Sequence, residues 1–310
     1  GGEWVEAAGG ATFESEDPFS GDIWALVPRC GKAEVDAAAD AAHKAFVSGA
    51  WPTMTATARG QLMHRLGDLI LQNAEHLAEI EVRDNGKLMA EMLGQVKYLA
   101  QWYYYFGGLA DKIEGAVIPI DKPSVLNYTR REPLGACAMI VPWNSPLLLL
   151  SWKLAPALAA GNTAVVKPSE FTSCSTLEFA KLIEAAGFPP GVFNVVTGFG
   201  AETGEPLVSH PKIAKVAFTG GDASGKRVYQ TAAGHLKPVT LELGGKSPTI
   251  VCDDFDIDEA ASRIMYAKLI NAGQTCLAPD YLYVPEGKRD RFRSEEHTSE
   301  LQSPYVISYA

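Results

Sequence analysis

The sequence predicts an α/β protein built on a doubly wound parallel sheet, with an incomplete second α/β domain and a protruding β-hairpin arm. Three observations predict this fold. An unbroken apolar run from Ala136 to Val141 is typical of a strand covered on both faces. Segments of strand and helix character then alternate as far as Leu243, as in a doubly wound sheet. Residues 113–131 differ in character and read as two extended runs around a turn.

The N-terminal third of the chain is predicted to contain irregular strands and three helices. Residues 11–29 read as strands around a turn at Asp17–Gly21. Apolar residues then recur at helical spacing in three stretches, which are residues 35–46, 62–80 and 88–109. The last stretch is rich in aromatic residues, and we interpret them as packing between helices.

The arm is predicted from two extended runs, Ile113–Ile120 and Val125–Arg131, on either side of Asp121–Pro123. Such an arm leaves the main body and usually pairs with something else, so we expect it to meet a second subunit.

From residue 136 onward the alternation defines the predicted sheet. Strands are expected at 136–141, 163–166, 192–196, 215–218 and 239–243, and helices at 147–160, 173–186 and 225–233. Ligands of such sheets bind beyond the carboxyl ends of the strands. The polar or glycine residues that end or follow predicted strands are Asn144, Lys167, Gly220 and Glu242.

A second unit is predicted after the sheet. Asp256–Glu259 reads as a capping box that opens a helix to about Ile270. A turn at residues 271–275 then delivers Cys276, and residues 281–284 read as a strand. We therefore assign residues 1–112 and 132–243 to one domain, 113–131 to the arm and 244–292 to an incomplete second domain.

The character of the amino-acid sequence changes after Phe292. Residues 293–303 are polar, lack hydrophobic periodicity and resemble the in-frame translation of a sequencing adapter. We expect residues 293–310 to be an artefactual or disordered tail.

Composition excludes several classes of partner. The chain has 310 residues, 47% of them apolar, and a net charge of −10, which argues against nucleic acid or an anionic membrane. No stretch of about 20 apolar residues occurs, and Gly1–Trp4 reads as the inside of a domain and not as a secretory leader. Five cysteines without CxxC spacing indicate free thiols in a reducing, cytoplasmic compartment, and the scattered histidines indicate no metal site.

Three side chains are candidates for covalent chemistry at a carbonyl. Cys276 follows a polar Gly-Gln-Thr turn and is a candidate nucleophile, although a lone cysteine is more often a buried small hydrophobe, as we expect of Cys30, Cys137, Cys174 and Cys252. Glu242 ends an apolar strand, where burial would raise its pKa into the range of a general base; a structural carboxylate is the alternative. Asn144 could donate to an oxyanion or be an ordinary turn asparagine.

A nucleotide site is predicted at the same edge of the sheet. Lys167 and Glu170 could bind ribose hydroxyls, where a carboxylate repels a 2′-phosphate and favours NAD over NADP; a solvated turn is the alternative. Two glycine-rich loops, 198–204 and 218–225, compete for the pyrophosphate, and the second is better placed because it joins a strand to a helix. Either loop alone is a weak signal.

Together these motifs resemble the aldehyde dehydrogenase superfamily, in its NAD-dependent, non-acylating branch, whose sheet is Rossmann-like. The matching pieces occur in the family's order and cover residues 1 to about 292; they are residues 142–146, 152–162, 167–170, 218–220, 241–248 and 273–276. The resemblance implies a homodimer or homotetramer joined through the arm, and oxidation of an aldehyde to a carboxylic acid with NAD.

The resemblance also implies roles for single residues. Cys276 would be the nucleophile, Asn144 would hold the oxyanion of a thiohemiacetal, and Glu242 would activate the water that hydrolyses a thioester. Lys153 matches a family lysine sometimes assigned to a charge relay. The implied cofactor-binding residues are Pro142, Trp143, Lys167, Ser169, Glu170, Gly200, Gly220, Gly221, Gly225 and Leu243.

Two departures from the family's pattern matter. Gly221 stands where many members have serine, which removes one hydroxyl contact to phosphate. The downstream Glu-x-Phe-Gly-Pro motif and most of the catalytic domain are absent, so we expect this chain by itself to have little or no activity. Two alternatives stay open: a CoA-acylating member, against which Glu242 argues, and a non-catalytic, partly folded fragment that binds nucleotide.

Overall fold

The computed structural model describes residues 2–302, and the side chains of residues 2–295. Contacts between Cα atoms divide the chain into two compact units, of which the first ends at Glu242 and the second begins at Leu243. The fold class matches the prediction, because the first unit is built on a parallel sheet with helices on both sides.

The first unit contains seven strands and nine α-helices among the residues described. The strands are β1 (Thr12–Glu16), β2 (Ile23–Pro28), β3 (Ala136–Ile140), β4 (Thr163–Lys167), β5 (Phe193–Val195), β6 (Ile213–Thr219) and β7 (Val239–Glu242). The helices are α1 (Lys32–Val47), α2 (Ala50–Thr53), α3 (Ala56–Gln72), α4 (Ala74–Asn85), α5 (Met89–Leu109), α6 (Pro146–Ala159), α7 (Cys174–Ala186), α8 (Glu205–Ser209) and α9 (Asp222–Ala233).

The central sheet has the strand order β5-β4-β3-β6-β7, with every pair parallel. The order reverses direction at β3, so β4 and β5 lie on one side of it and β6 and β7 on the other. Every residue of β3 and of β4 is buried, as the unbroken apolar runs predict. A crevice is expected where the strand order reverses, beyond the carboxyl ends of β3, β4 and β6.

The helices around this sheet fall into two contacting groups. Helices α1, α8 and α9 pack against the sheet and form one group, and α6 and α7 pack against it with α3, α4 and α5 behind them. The larger core lies in the second group and includes the ring of Tyr103, the buried aromatic of the predicted cluster on α5. Packing between helices therefore explains that ring.

One predicted helix is divided into two. The apolar face that the sequence shows over 62–80 is shared by α3 and α4, which are separated at Asn73. The side chain and main chain of Asn73 both donate to the carbonyl of Leu69, at 2.8 and 3.0 Å. Asparagine competes with the helix for backbone hydrogen bonds in this way, and hydrophobic periodicity does not reveal it.

The predicted arm is present as a minimal hairpin. Only one bridge, Val117 with Tyr128, pairs its two sides within residues 113–131. The amide of Ile118 donates to Asn127 and the amide of Thr129 to Ala116, at 2.9 and 2.8 Å. Its apolar side chains are exposed, including Val117 and Leu126 at 75% and 74%.

The second unit contains a short parallel pair, β8 (Pro248–Ile250) and β9 (Tyr281–Tyr283), and the helices α10 (Ile257–Leu269) and α11 (Arg289–Gln302). The cap predicted for α10 is present, since the carboxylate of Asp256 accepts from the amides of Asp258 and Glu259 at 3.1 and 2.9 Å. Phe292 on α11 packs with Ile257 and Ile264 of α10. Strand β8 is a finding that the sequence reasoning lacked.

Regular structure continues past the boundary predicted at Phe292. Helix α11 extends to Gln302, into the segment for which a polar tail without period was expected, and residues 303–310 lie outside the described residues. Glutamate, leucine and glutamine favour a helix through intrinsic propensity even where no apolar face repeats.

Candidate functional site

A cleft of about 670 Å³ lies at the carboxyl ends of β3, β4 and β6 and is closed on one side by α9. Its lining includes most of the predicted cofactor-binding residues, namely Pro142, Trp143, Lys167, Ser169, Glu170, Gly200, Gly220 and Gly221. Gly225 does not line it, because its position is buried within α9. Leu243 belongs to the second unit.

Lys167 and Glu170 form a charged pair at the end of β4. The ammonium group of Lys167 is buried, donates to the carbonyl of Pro168 at 2.8 Å and lies 3.5 Å from a carboxylate oxygen of Glu170. Burial lowers the pKa of Lys167 and the Glu170 charge raises it. Glu170 is only half-buried, so the pair offers both a donor and an acceptor to the cleft, as recognition of sugar hydroxyls requires.

The two glycine-rich loops, which the sequence placed in competition, line the same cleft. Gly200 and Gly204 lie in a single wide helical turn before α8, and Gly220 and Gly221 connect β6 to α9. A Cβ at Gly220 would come within 2.6 Å of the Phe218 ring, whereas one at Gly221 would meet nothing within 4 Å. Packing against Phe218 therefore requires glycine at position 220. The absence of a side chain at Gly221 leaves the first backbone amides of α9 accessible to an anionic group.

Lys153 reaches the same edge of the sheet from α6. Its ammonium group donates to the hydroxyl of Thr219 at 2.5 Å, and Thr219 lines the cleft. Burial lowers the pKa of Lys153 to about 8, and the charge of Glu242 raises it in opposition. The charge of Glu242 at the end of β7 therefore acts on Lys153 on α6.

The expectation that Glu242 is buried is wrong for this structure, because its side chain is exposed. Strand β7 is an edge of the sheet, and its residues alternate between half-buried and exposed, with Glu242 on the exposed side. The apolar neighbours Leu241 and Leu243 suggested an interior strand, but an edge strand buries only alternate residues. The main-chain carbonyl of Glu242 accepts from the amide of Gly220 at 3.1 Å.

Asn144 lies between β3 and α6 on the cleft side of the sheet. It is half-buried, follows the cleft residue Trp143 and precedes Ser145, the last residue before α6. The residues Val141 and Ser145 on the two sides of this turn are buried.

Cys276 lies in the second unit, after a turn with unusual backbone geometry. Asn271, Ala272 and Gly273 all have positive φ angles, 52°, 52° and 76°. Such left-handed conformations are costly for residues other than glycine and concentrate at functional sites. The hydroxyl of Ser247 donates to the carbonyl of Cys276 at 3.0 Å and ties β8 to the turn.

The other cysteines divide by exposure. Cys276 is exposed, whereas Cys30 and Cys137 are buried as expected and Cys174 is partly buried. The expectation for Cys252 is wrong, since it is exposed. It follows the three-residue strand β8 at the surface of a small unit, which has too little core to cover it.

Comparison with known proteins decides the family. The Aldehyde dehydrogenase family matches residues 4–303 of this chain. The chain belongs to this family. Its similarity to a (Z)-2-((N-methylformamido)methylene)-5-hydroxybutyrolactone dehydrogenase of Acinetobacter baylyi amounts to 48% identity over 284 residues, which is 92% of this chain and 58% of that protein. Similarity to a hydroxyisobutyraldehyde dehydrogenase of Mycolicibacterium austroafricanum is 44% over 291 residues, or 94% and 57% of the two chains.

Solved structures of aldehyde dehydrogenases share the fold. The NAD+ complex of an aldehyde dehydrogenase from Bacillus cereus superimposes with a TM-score of 0.94 at 43% identity, and covers 96% of this chain and 61% of that one. An E. coli NADP-dependent enzyme gives 0.94 at 37%, with 97% and 62% covered. The chain thus spans about 57% to 62% of the length of these relatives.

The chain also contains polar contacts near the site that sequence reasoning missed. Lys87, between α4 and α5, is buried and donates to the hydroxyl of Ser145 at 2.6 Å, next to Asn144. Thr219, the partner of Lys153, was also missed. The charged residues Glu81, Asp84 and Lys87 are all buried, and the sequence analysis assigned them no role.

Among the described residues 2–302, no helix is both long enough and apolar enough to cross a membrane. Within the same residues, no cluster of three or more histidine, cysteine or acidic side chains is arranged to hold a metal ion.

Proposed function

We propose that the protein to which this chain contributes oxidises an aldehyde to a carboxylic acid with NAD through covalent chemistry at Cys276. The observation that carries the proposal is the arrangement at the edge of the sheet, where the cleft, the Lys167–Glu170 pair, Lys153 and Glu242 occur together at the carboxyl ends of neighbouring strands. This is the place where a doubly wound sheet binds its ligand.

The residues of the cleft fit a dinucleotide. The buried ammonium of Lys167 and the half-exposed carboxylate of Glu170 would hold the adenosine ribose, and the amides at the start of α9 would meet the pyrophosphate. The open space beside Gly200 and Gly221 admits close approach of a ligand to the backbone. Bound NAD would supply the acceptor for the hydride that leaves the substrate.

The chain's own residues supply the remaining chemistry. The Cys276 thiolate would attack the aldehyde carbon and form a thiohemiacetal, whose oxyanion would accept hydrogen bonds from the Asn144 amide and the Cys276 backbone. Oxidation of that carbon leaves a thioester on Cys276. Glu242 would remove a proton from the water that hydrolyses the thioester, releasing the acid and the free thiolate.

The cofactor preference follows from one carboxylate. Glu170 next to the ribose would repel the phosphate that distinguishes NADP, so we propose NAD as the preferred cofactor. The solved relatives include both an NAD+ complex and an NADP-dependent enzyme, so the preference rests on Glu170 and not on the family. Comparison of binding constants for the two cofactors tests it, and tighter binding of NADP would contradict it.

Lys153 would act on the proton balance of the site. Its pKa of about 8 allows it to exchange a proton near neutral pH, and its contact with Thr219 holds it at the edge of the cleft. We propose that Lys153 takes part in a charge relay at this edge and does not bond to substrate.

Assembly through the arm and a cytoplasmic location belong to the same proposal. The exposed apolar side chains of residues 113–131 favour pairing with a second subunit in a homodimer or homotetramer. The net charge of −10 favours neither nucleic acid nor an anionic membrane as a partner.

For this chain by itself we propose little or no steady turnover. It spans about 58% of the length of its relative from Acinetobacter baylyi, and the side chains of Glu242 and Cys276 are both exposed to solvent in it. An exposed carboxylate and thiol lack the dry surroundings that strengthen electrostatic stabilisation in active sites. Steady NADH production by this chain would contradict this part of the proposal.

A product assay tests the main proposal in a protein extended to the length of the relatives. We expect aldehyde and NAD to give NADH and free carboxylic acid in equal amounts, without any need for CoA. The matched variant Cys276→Ala should lose this reaction, whereas Cys252→Ala, which removes the other exposed thiol, should keep it. An acyl-CoA product would favour the acylating alternative. Nucleotide binding without turnover in the extended protein would favour the non-catalytic one.

A further inference from the structure

The turn before α6, which carries the proposed oxyanion donor Asn144, is in contact with a buried lysine. Lys87 is 6% exposed, and its ammonium group donates to the hydroxyl of Ser145 at 2.6 Å and to the side-chain carbonyl of Gln95 at 3.0 Å. Ser145 immediately follows Asn144 and is the first residue before α6. A side chain from the α4–α5 connection therefore fixes the residue next to the proposed donor.

Ser145 does not use its hydroxyl in the usual way. A serine at the start of a helix normally accepts a hydrogen bond from an amide of the first turn. Here Ser145 makes no such bond, and its hydroxyl is instead the acceptor for Lys87. The first turn of α6 therefore lacks the usual side-chain cap. A cation near this end of the helix is itself unfavourable, because the N-terminal end of the helix dipole is positive.

Glu81 offsets the charge. Glu81 lies on α4 and is 0% exposed. Neither of its carboxylate oxygens has a partner at the distance and angle of an ordinary hydrogen bond. Burial raises the pKa of Glu81 to about 7, opposed by the charge of Lys87 and by the Leu147 amide in the first turn of α6. Burial lowers the pKa of Lys87, and the charges of Glu81 and Glu91 oppose that effect.

Buried charges of this kind are costly, and hydrophobic replacements of similar volume are often as stable or more stable. A role beyond stability is therefore the simpler explanation for a lysine and a glutamate that converge on one turn. The turn is the one that holds Asn144 at the edge of the sheet.

We propose that Lys87, backed by Glu81, is a positioning residue that holds the Asn144–Ser145 turn so that the Asn144 amide meets the oxyanion. The inference rests on the proposed function, because it assigns Asn144 the role of donor. Lys87 would touch neither substrate nor cofactor, and it would act only through the Lys87–Ser145 hydrogen bond.

The first test uses this chain and needs no activity. In Ser145→Ala the acceptor is lost while Lys87 and Glu81 both remain, so we expect the amides of residues 144–149, apart from Pro146, to exchange hydrogen at least about tenfold faster, with α7 unchanged. The matched control is Ser151→Ala on the same helix, which removes a buried hydroxyl that bonds to Tyr103. Equal protection of residues 144–149 in Ser145→Ala and wild type would overturn the proposal.

Removal of the lysine requires a second variant, because Lys87→Met leaves Glu81 buried without its partner. Glu81→Gln with Lys87→Met removes both charges and should fold. We expect fast exchange of residues 144–149 in this double variant too. Normal protection there would show that the pair does not hold the turn.

The second test measures kinetics in the protein extended to the length of its relatives. Loss of an oxyanion donor costs about 10²–10³ in kcat, so we expect Asn144→Ala to fall in that range and Ser145→Ala to lose about tenfold. In the Asn144→Ala background, Ser145→Ala should cost less than about twofold, because its effect passes through Asn144. A purely structural role would give an additive loss and overturn the inference.

The two proposals fail in different ways. If wild-type extended protein does not oxidise aldehydes, the proposed function fails, and the exchange test still decides whether Lys87 holds the turn. If the wild type is active and Ser145→Ala loses nothing, the positioning role fails and the proposed function stands.

Discussion

Glu242 at the end of β7 acts through its charge on Lys153 of α6, where burial lowers the pKa of the lysine to about 8 and the carboxylate opposes that effect. Glu242 is the last residue of the first unit, and Lys153 lies within α6. A hydrogen bond from the ammonium group of Lys153 to the hydroxyl of Thr219 fixes the position of the amine.

Neutralising Glu242 is expected to lower the pKa of Lys153 below about 8. Burial lowers the pKa of Lys153, and the negative charge of Glu242 is the only resolved cause that raises it. Without that charge the neutral amine is favoured more strongly. Lysine side-chain NMR of this chain, titrated in Glu242→Gln, measures the shift. Glu170→Gln is the control, since that carboxylate pairs with Lys167. An unchanged Lys153 titration in Glu242→Gln would show that the two groups do not interact.

Asp84 is expected to make the chain less stable as the pH rises. Burial raises the pKa of Asp84 from 3.8 to about 6, against hydrogen bonds from the hydroxyl of Ser15 and the amide of Cys174. Because the pKa in the folded state is the higher one, the carboxyl stabilises the fold fully below about pH 4, and that contribution is lost as the pH rises through about 6. The loss amounts to about 3 kcal/mol.

Urea unfolding at about pH 4 and at about pH 7 measures the effect of Asp84. The difference in unfolding free energy between the two values should shrink in Asp84→Asn, which cannot titrate, and persist in Ser15→Ala, which keeps the carboxyl. An equal difference in Asp84→Asn and wild type would assign the pH dependence to other groups.

Close packing of α3 on α5 makes a second stability prediction. A Cβ at Gly60 would lie 2.4 Å from the carbonyl oxygen of Gly107, so the backbones of the two helices touch there. We expect Gly60→Ala to lower the free energy of unfolding by about 1–3 kcal/mol despite the better helix propensity of alanine.

Gly94 on α5 is the matched control for Gly60. A Cβ there meets nothing within 4 Å, and the site is exposed. Gly94→Ala should therefore stabilise the chain by up to about 1 kcal/mol. If both substitutions stabilise it, the helices are not in contact at Gly60.

The departure from the family's pattern at residue 221 predicts a gain of cofactor affinity. Gly221 precedes α9 with a φ of −71°, which any residue adopts, and has open space around it. Gly221→Ser adds a hydroxyl that can cap α9 and donate to a phosphate, so we expect NAD to bind this chain a few-fold more tightly. Titration with NAD measures the change. Gly220→Ser is the control, where a Cβ would collide with Phe218 and binding should weaken.

Much of the architecture could be predicted because apolar periodicity dictates it. The fully apolar β3 and the alternation after it determine a parallel sheet, and the edge at which ligands bind follows from strand direction alone. That reasoning predicted Lys167 and Glu170 at this edge, whereas the two glycine loops, which the sequence set in competition, both line the cleft.

The remaining features depend on contacts between distant parts of the chain. The exposure of Glu242 follows from the position of β7 at an edge of the sheet, which the local sequence does not encode. The contact of Lys87 with Ser145 joins residues 58 positions apart. The break at Asn73 is a local effect of one side chain, which apolar spacing does not detect.

The most direct measurement is the mass of the peptide containing Cys276 after a Glu242→Gln form of the extended protein has reacted with aldehyde and NAD. Without the base, the thioester should not be hydrolysed, so we expect a burst of about one NADH per site, a stall, and an acyl group on Cys276. Cys276→Ala with Glu242→Gln is the control and should give neither burst nor adduct. Normal steady turnover by Glu242→Gln, or a burst that leaves Cys276 unmodified, would contradict the account.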